Sequence, residues 1–432
     1  MIEYYASRQL PVQGNFKSPS MPNTGMFNAM NARENLIELT SFGPRVTGSK
    51  VNEISIPSYL VRKLGELRKD LPNGARLEIE RQNPASNFYL DFLGGITNVY
   101  QNVTNIAVRL SWPEEGSTTT SDFSVLLNAH FDSIPGSPGA ADDGVGVACM
   151  MEALRVLAHG ARLHHSVIML FNGAEESNHQ AAHGFITQHP WAPSVKYVFN
   201  LEAIGTGGQE MMFQCNSGWL AAFYGRKAPH PHASVIAHEL FKHFIHRMAS
   251  TDWSTLIGYG SPGIRGLDTA YIENGYVYHT SFDTQESVPD GTLVNTGENI
   301  LYITKALADA VEVPNFTESD SVDQLSVFFD FLGLHLVVYG GQSVTILHSL
   351  ILLAGIITAV LLGRSINNLS TSKLHRIFCS EVYCFALPLF VSAALGLVMY
   401  VIAPMRWYDG GIAIAMLTYG PPTLLSILYV RG

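Results

Sequence analysis

Apolar, β-branched runs alternate with helical periodicity through the middle of the chain. Such runs occupy residues 105–110, 123–127, 167–171 and 195–199, and each is long enough for one buried strand. Residues 145–157 place apolar side chains at helical spacing. Because strands that alternate with helices are typical of α/β domains, we predict a mostly parallel central sheet flanked by helices.

Three apolar segments without Asp, Glu, Lys or Arg crowd the end of the chain, at residues 343–363, 382–402 and 410–429. Each has the ~20 residues that a helix needs to cross the hydrocarbon core of a membrane. Helices buried in a soluble core are the alternative, but a small core has too little volume to bury three such helices. We therefore predict an all-α transmembrane region over residues 343–432, although Pro421 and Pro422 lie near the end of its third segment.

The rest of the chain divides into a soluble domain at residues 1–318 and a juxtamembrane segment at residues 319–342. Apolar residues 325–339 are interrupted by Asp330 and His335. This stretch fits either an interfacial helix or the last helix of the soluble domain.

Composition supports a partly membrane-embedded chain. Hydrophobic residues make up 47% and charged residues only 14%, against a usual ~25% charged residues. The net charge of −10 argues against nucleic acid as the main partner. Four cysteines in 432 residues exclude a disulfide scaffold.

The distribution of charge between the predicted spans indicates their orientation. Residues 364–381 contain three Lys or Arg residues and residues 403–409 contain one, so the positive-inside rule places the soluble domain in the lumen or outside the cell. Glycosylation triplets at Asn102 and Asn315 fit that side. Residues 1–16 lack an apolar signal segment, so we expect the natural chain to begin further upstream and to continue past residue 432.

Histidines and acids follow the ends of the predicted strands. Because parallel strands end at one edge of a sheet, these side chains should converge there. Singly, each has an ordinary explanation, such as a satisfied histidine, a helix N-cap or a solvated turn. Together, buried carboxylates repel one another unless divalent cations balance them, and imidazole with carboxylate suits zinc. The candidates are His130, Asp132, Asp142, Asp143, Glu175, Glu176, Glu202, His279 and Asp283.

A histidine-rich stretch near residue 238 imitates another metal motif. His238, Glu239 and His243 resemble HExxH with one residue too many. Side chains five positions apart on a helix point ~140° apart, so the two histidines would not chelate one ion. We interpret most histidines of this stretch as surface residues, including His230, His232 and His246.

Five motifs occur in an order that resembles a known family. They are HFDS, GAADDGVG, AEES, NLEAIG and YHTSFDT, preceded by PRVTGSKVNE at residues 44–53. Together they resemble peptidase family M28, whose members include di-zinc metallopeptidases. The similarity spans residues 32–312, the core of the predicted soluble domain, and it implies a zinc-exopeptidase-like α/β fold.

The resemblance implies a ligand set for two Zn²⁺ ions per chain. Asp142 matches the aspartate that bridges both ions. One ion would also be held by His130 and Glu202, and the other by Glu176 and His279.

The remaining motif residues have implied supporting roles. Glu175 matches the general base. Asp132 would hold the distal nitrogen of the first histidine ligand and fix its orientation, and Asp283 would act similarly near His279. Tyr278 is a candidate for contact with the substrate or its oxyanion.

The implied function is a zinc-dependent exopeptidase, and we predict an aminopeptidase, anchored in the endoplasmic reticulum membrane by several spans with the peptidase domain in the lumen. A hydroxide held by two zinc ions would attack the peptide bond, and Glu175 would carry its proton to the leaving amine. The partners would be a peptide or protein substrate and the lipid bilayer. Residues 214–232 and 251–268 should wall the substrate pocket, with Arg226 and Lys227 either binding a peptide carboxylate or lying in a solvated loop.

Two other functions fit the same motifs. A glutaminyl cyclase-like transferase has related motifs but works with a single zinc ion. A catalytically silent scaffold would keep the fold without the chemistry, and the complete set of ligand positions argues against it. Metal stoichiometry and product analysis separate these alternatives.

Overall fold

The computed structural model describes residues 25–72, 74–91, 94–113, 123–245, 249–311, 313–314, 326–331, 335–365 and 371–402. The strands are β1 (Arg76–Gln82), β2 (Ala85–Leu90), β3 (Ile96–Gln101), β4 (Asn105–Ser111), β5 (Ser124–His130), β6 (Ser166–Asn172), β7 (Val195–Ala203), β8 (Met211–Cys215), β9 (Arg265–Tyr271), β10 (Ser326–Phe331) and β11 (His335–Gly340). The α-helices are α1 (Ala29–Thr40), α2 (Ile56–Lys69), α3 (Gly146–Ala158), α4 (Gln180–Gln188), α5 (Gly218–Lys227), α6 (Val235–Leu240), α7 (Asp252–Tyr259), α8 (Asp290–Ala308), α9 (Gln342–Ser365) and α10 (Thr371–Ile402).

The central sheet is mixed, with the strand order β1-β4-β6-β5-β7-β9-β8. Only the four inner strands, β6, β5, β7 and β9, run parallel, whereas β1, β4 and β8 pair antiparallel with their neighbours. The predicted mostly parallel sheet is therefore corrected to a mixed one. The inner strands follow the rule that parallel neighbours need a helical crossover, but β4 and β8 run in the opposite direction to them, and β1 pairs antiparallel with β4.

Helices cover both faces of this sheet, which leaves β5 and β6 buried along their whole length. On one face α3 packs against α1 and α8, and its side chains are almost all buried. On the other face, Phe185 and Leu256 from α4 and α7 pack on strand residues such as Leu126 and Ile168. The sheet edge therefore rests on a rigid, fully packed base.

The described residues of the stretch at 325–339 form two paired strands rather than a helix. Strands β10 and β11 pair antiparallel, with Phe329 opposite Val337. Phe328 is 2% exposed, and the Asp330 backbone N–H donates to the Ala233 carbonyl at 3.0 Å. Both helical interpretations of this segment are wrong, because a short apolar run without clear periodicity suits a strand as well as a helix.

The chain forms two compact units, Met1–Val344 and Thr345–Gly432. Within the described residues one helical segment is long and apolar enough to cross a membrane, Gln342–Leu362, with a mean hydropathy of 2.4. It contains most of the first predicted span, and the second predicted span lies within α10. The third predicted span, at residues 410–429, lies outside the described residues, as do Asn315 and His246.

Glu210 is a buried acid whose removal should change the pH dependence of stability. Its Oε1 accepts a hydrogen bond from Thr269 Oγ1 at 3.0 Å, and burial raises its pKa from 4.5 to about 7. Because the pKa is raised in the folded state, Glu210 contributes fully to the free energy of unfolding below about pH 4.5. This contribution is lost as the pH rises through 7. We expect Glu210→Gln to stabilise the chain at pH 8 by at most about 3 kcal/mol, and progressively less toward pH 4.5.

Thermal unfolding of the full chain between pH 4.5 and 8 measures this effect. Exposed Glu34 provides the control, since Glu34→Gln should shift the melting temperature equally little at each pH. A melting temperature of Glu210→Gln that parallels the wild type across the whole range would contradict the prediction.

Candidate metal centre

The parallel strands bring most of the predicted site residues to one edge of the sheet. His130 is the last residue of β5, and Glu202 is the next-to-last residue of β7. Glu175 and Glu176 follow the end of β6, and His279 follows β9. The convergence expected from the sequence is therefore present in the fold.

Asp142 lies between two groups of potential ligands and presents one carboxylate oxygen to each. Its Oδ1 is 3.2 Å from His130 Nε2, and that nitrogen is 3.7 Å from Glu202 Oε2. Its Oδ2 is 3.1 Å from His279 Nε2, which is 3.3 Å from Glu176 Oε1. In each group of three, the ligand atoms lie within 4.8 Å of one another.

The local fold holds Asp142 in this place. A π-helical turn at Ala140–Val145 connects the loop after β5 to α3, and Asp142 is 4% exposed within it. The first group is buried, whereas Glu176 and His279 in the second are half-buried. A substrate would therefore meet the second group from the solvent side.

Two buried atoms of the second group have the character of unsatisfied metal ligands. Glu176 Oε1 and His279 Nε2 lie 3.3 Å apart, yet neither atom makes a hydrogen bond of normal geometry among the described residues. An unpaired buried polar atom is costly. One divalent cation between these atoms and Asp142 Oδ2 would satisfy all three, so the donor set fits a metal ion.

The acids of the site are electrostatically crowded. Burial raises the pKa of Glu175 well above its usual range and that of Glu176 to about 7, and it also raises the pKa of Glu202. Burial would raise the pKa of Asp142 as well, but the adjacent imidazoles of His130 and His279 lower it to about 2.

The histidines respond in the opposite sense. Burial alone would lower the pKa of each, but the adjacent carboxylates raise the pKa of His130 well above its usual value and that of His279 to about 9. Positive charge, from protonated histidines or from a divalent cation, would balance these carboxylates. Metal binding here should release protons.

Asp132 is fully buried and holds the loop of the paired glutamates. Its two carboxylate oxygens accept the backbone N–H groups of Glu175 and Glu176 at 3.0 and 3.1 Å. The carboxylate lies 3.5 Å from His130 Nδ1, and the nearer acceptor for that nitrogen is the Asp132 backbone carbonyl at 3.1 Å. The residue therefore orients both the histidine and the two glutamates.

Asp283 supports the loop of Asp142. Its carboxylate oxygens accept the backbone N–H groups of Ala141 at 2.8 Å and Asp142 at 3.2 Å. The sequence placed its effect near His279, and its hydrogen bonds reach the backbone of Asp142, whose Oδ2 is 3.1 Å from His279 Nε2. Asp143, also a candidate, accepts the backbone N–H groups of His130 and Gly146 and lies outside both ligand groups.

Arg45 is a functional residue that sequence reasoning missed, although it lies in the motif segment at residues 44–53. It is fully buried and donates to the backbone carbonyls of Phe131, Pro138 and Gly139. Burial lowers its pKa to about 10, so it stays charged at neutral pH. It fixes the loop between His130 and Asp142.

A hydrogen-bonded layer of buried polar residues lies next to the ligands. Asp252 Oδ2 accepts from Asn128 at 2.8 Å and from Asn172 at 2.5 Å. Asp268 accepts from Asn200 at 2.9 Å, and Asn200 also donates to Glu202 at 3.3 Å. The sequence signal was available, because these asparagines interrupt apolar strands; residues 214–232 and 251–268 contribute Gln214, Thr251, Asp252 and Asp268 to this layer.

Other predicted residues have separate positions. Tyr278 stacks on His279 with ring centroids 3.7 Å apart, and burial raises its pKa, so its hydroxyl stays a donor. Arg226 and Lys227 are exposed at the end of α5.

The histidine-rich stretch is only partly on the surface. His243 is exposed and pairs with Glu239 at 3.0 Å. His238, His230 and His232 are half-buried, and they contact Phe328, Glu298 and Asp330 respectively. Of the described histidines of this stretch, fewer are surface residues than the sequence suggested.

Residues 105–304 match the sequence profile of Peptidase family M28. The chain belongs to this family. All five site motifs lie inside the matched region, so the family predicted from the motifs is confirmed.

Named relatives resemble three quarters or more of the chain. It is 37% identical to endoplasmic reticulum metallopeptidase 1 of Rattus norvegicus over 433 residues, which covers 98% of this chain and 47% of that protein. The human protein of the same name is 41% identical over 332 residues, covering 76% of this chain and 36% of the relative. The chain thus spans about half or less of the length of these relatives.

Among solved structures, the LapA aminopeptidase of Legionella pneumophila aligns with a TM-score of 0.49 and 16% identity, covering 70% of this chain and 79% of that one.

Proposed function

We propose that this chain is a zinc-dependent exopeptidase, most consistent with an aminopeptidase, that uses two metal ions. The observation that carries the proposal is the position of Asp142, whose two oxygens face two separate groups of ligands at 3.1–3.2 Å. His130 and Glu202 would be the other protein ligands of one ion, and Glu176 and His279 would be those of the second ion. Membership of M28 and similarity to proteins named metallopeptidases support it.

The metal ions, when bound, would acidify a water molecule and polarise the scissile carbonyl. Glu175 then has the role of proton carrier, accepting a proton from the attacking water and delivering it to the leaving amine. Asp132 accepts the backbone N–H of Glu175, which fixes the position of the backbone that carries the Glu175 carboxyl group. Tyr278, a neutral donor stacked on His279, would donate to the oxygen that gains negative charge.

The test is peptide hydrolysis by the full chain in detergent, with free and N-acetylated versions of the same peptides. An aminopeptidase releases single residues from the free N-terminus only. A chelator should abolish the activity and added Zn²⁺ should restore it. Cleavage of the acetylated peptides alone would overturn the aminopeptidase assignment. Cyclisation of an N-terminal glutamine without peptide hydrolysis would support the cyclase-like alternative.

We also propose that the chain is anchored in the endoplasmic reticulum membrane by several spans, with the peptidase unit in the lumen. The apolar helix Gln342–Leu362 and the named relatives support this. Asn102 is exposed after β3, so it is accessible to a lumenal glycosyltransferase. In microsomes, Asn102→Gln should remove an endoglycosidase-sensitive mass shift; protease digestion of the peptidase unit in sealed microsomes would contradict the lumenal placement.

A further inference from the structure

His179 lies in the turn that joins Glu175 to helix α4, and its ring is nearly buried, at 4% exposure. Its backbone has φ +59° and ψ +27°, and Asn178 before it has φ +64°. Residues other than glycine rarely adopt this left-handed region. Two in succession indicate that the surrounding structure imposes the turn, as is common at functional sites.

The turn is fixed from two sides. The His179 backbone N–H donates to the Glu175 carbonyl at 2.9 Å. From β3, Asn98 Nδ2 donates to the carbonyls of Ser177 and Asn178 at 3.0 and 2.9 Å. The position of the His179 ring relative to Glu175 is therefore set by the backbone.

The ring bridges Glu175 and helix α7. Its Nε2 is 3.4 Å from Glu175 Oε1, and its Nδ1 is 3.1 Å from the hydroxyl oxygen of buried Thr255. Burial lowers the pKa of His179 to about 4, so the ring is neutral and carries one N–H. Thr255 Oγ1 and a hydrogen bond to the Ser250 backbone fix the ring, and Nε2 is the ring nitrogen that faces the Glu175 carboxyl.

We propose that His179 is a positioning residue that orients the Glu175 carboxyl for proton transfer. The inference rests on the proposed function of Glu175 and adds a residue to it. An ordinary buried histidine is the alternative, and His183 shows what that looks like. It lies in helix α4, four residues after His179, is also 4% exposed, and its Nδ1 is 2.8 Å from the Tyr100 hydroxyl oxygen.

Three single variants of the full, metal-loaded chain separate the two interpretations. His179→Leu should lower kcat by about 10- to 100-fold at nearly constant KM, because a misaimed catalytic group slows the chemical step. His179→Gln should recover most of that loss, since its amide nitrogen takes a place near Nε2. His183→Leu should destabilise the fold to a similar degree and leave kcat near the wild-type value. Equal losses of kcat in His179→Leu and His183→Leu, or no recovery in His179→Gln, would overturn the inference.

A double-mutant cycle with Glu175→Gln tests the contact directly. His179→Leu should reduce kcat little further in the Glu175→Gln background, because the group it orients is already gone. The melting temperatures of the wild type, the two single variants and the double variant should also be non-additive. This measurement does not depend on catalytic activity. If the wild-type chain hydrolyses nothing, the proposed function fails; thermal coupling would still support the His179–Glu175 contact, and its absence would overturn that as well.

Discussion

Glu175→Gln is expected to lower the rate of peptide hydrolysis by about 10²- to 10⁴-fold while the metal content stays at the wild-type level. The glutamine side chain has the size of the glutamate side chain. The backbone N–H of residue 175 still donates to Asp132 at 3.0 Å. The glutamine amide cannot accept a proton from water, so the chemical step suffers and the metal ligands do not. Turnover numbers and elemental analysis of the same sample measure both effects.

Glu176→Gln provides the contrast at the neighbouring position. That residue belongs to the second ligand group, so its amide should cost metal as well as activity. Near-normal turnover in Glu175→Gln would show that another group carries the proton. Loss of metal in Glu175→Gln would place Glu175 among the ligands.

Asp142→Asn is expected to remove both metal ions and to reduce hydrolysis to background. Asp142 is the one residue that the two ligand groups share, and a neutral amide gives up the charge and one of the two oxygens that face the ions. Elemental analysis after gel filtration gives the number of ions per chain, and kcat/KM gives the activity.

Glu202→Gln is the matched comparison, because Glu202 belongs to the first group only. We expect it to lose about one ion and to retain the other. Equal metal loss in Asp142→Asn and Glu202→Gln would mean that the ions bind as one unit. Retention of both ions in Asp142→Asn would contradict a bridging role.

Much of the site could be predicted because its chemistry follows the sheet. His130 and Glu202 lie in parallel strands β5 and β7, and such strands end at one edge whatever the loops do. The motif order then assigned roles that strand topology alone leaves open. The role of each residue stays a prediction, but the structure places His130, Asp142, Glu176, Glu202 and His279 together.

The support of the site was harder to predict because it depends on contacts with the backbone. Asp132 and Asp283 hold N–H groups of the ligand loops, and Arg45 holds three carbonyls. Sequence spacing reports which side chains converge, but not which loop carbonyls need a buried cation. His179 was overlooked for the same reason, since only the left-handed turn brings its ring to Glu175.

The errors in the predicted fold have related causes. The antiparallel strands β1, β4 and β8 pair at the sides of the sheet through contacts distant in sequence, so the alternation that predicted parallel pairing applied only to the inner strands. The strands β10 and β11 are stabilised by packing within the Met1–Val344 unit, for example by buried Phe328. An apolar run of that length does not reveal its partner.

The metal content of the purified full chain tests the central claim most directly. After expression in a secretory system and removal of loosely bound ions, elemental analysis should give about two zinc ions per chain, as the two ligand groups around Asp142 require. About one ion per chain would favour the cyclase-like alternative. A folded, monodisperse chain without bound metal would contradict the account and leave a scaffold with the M28 fold.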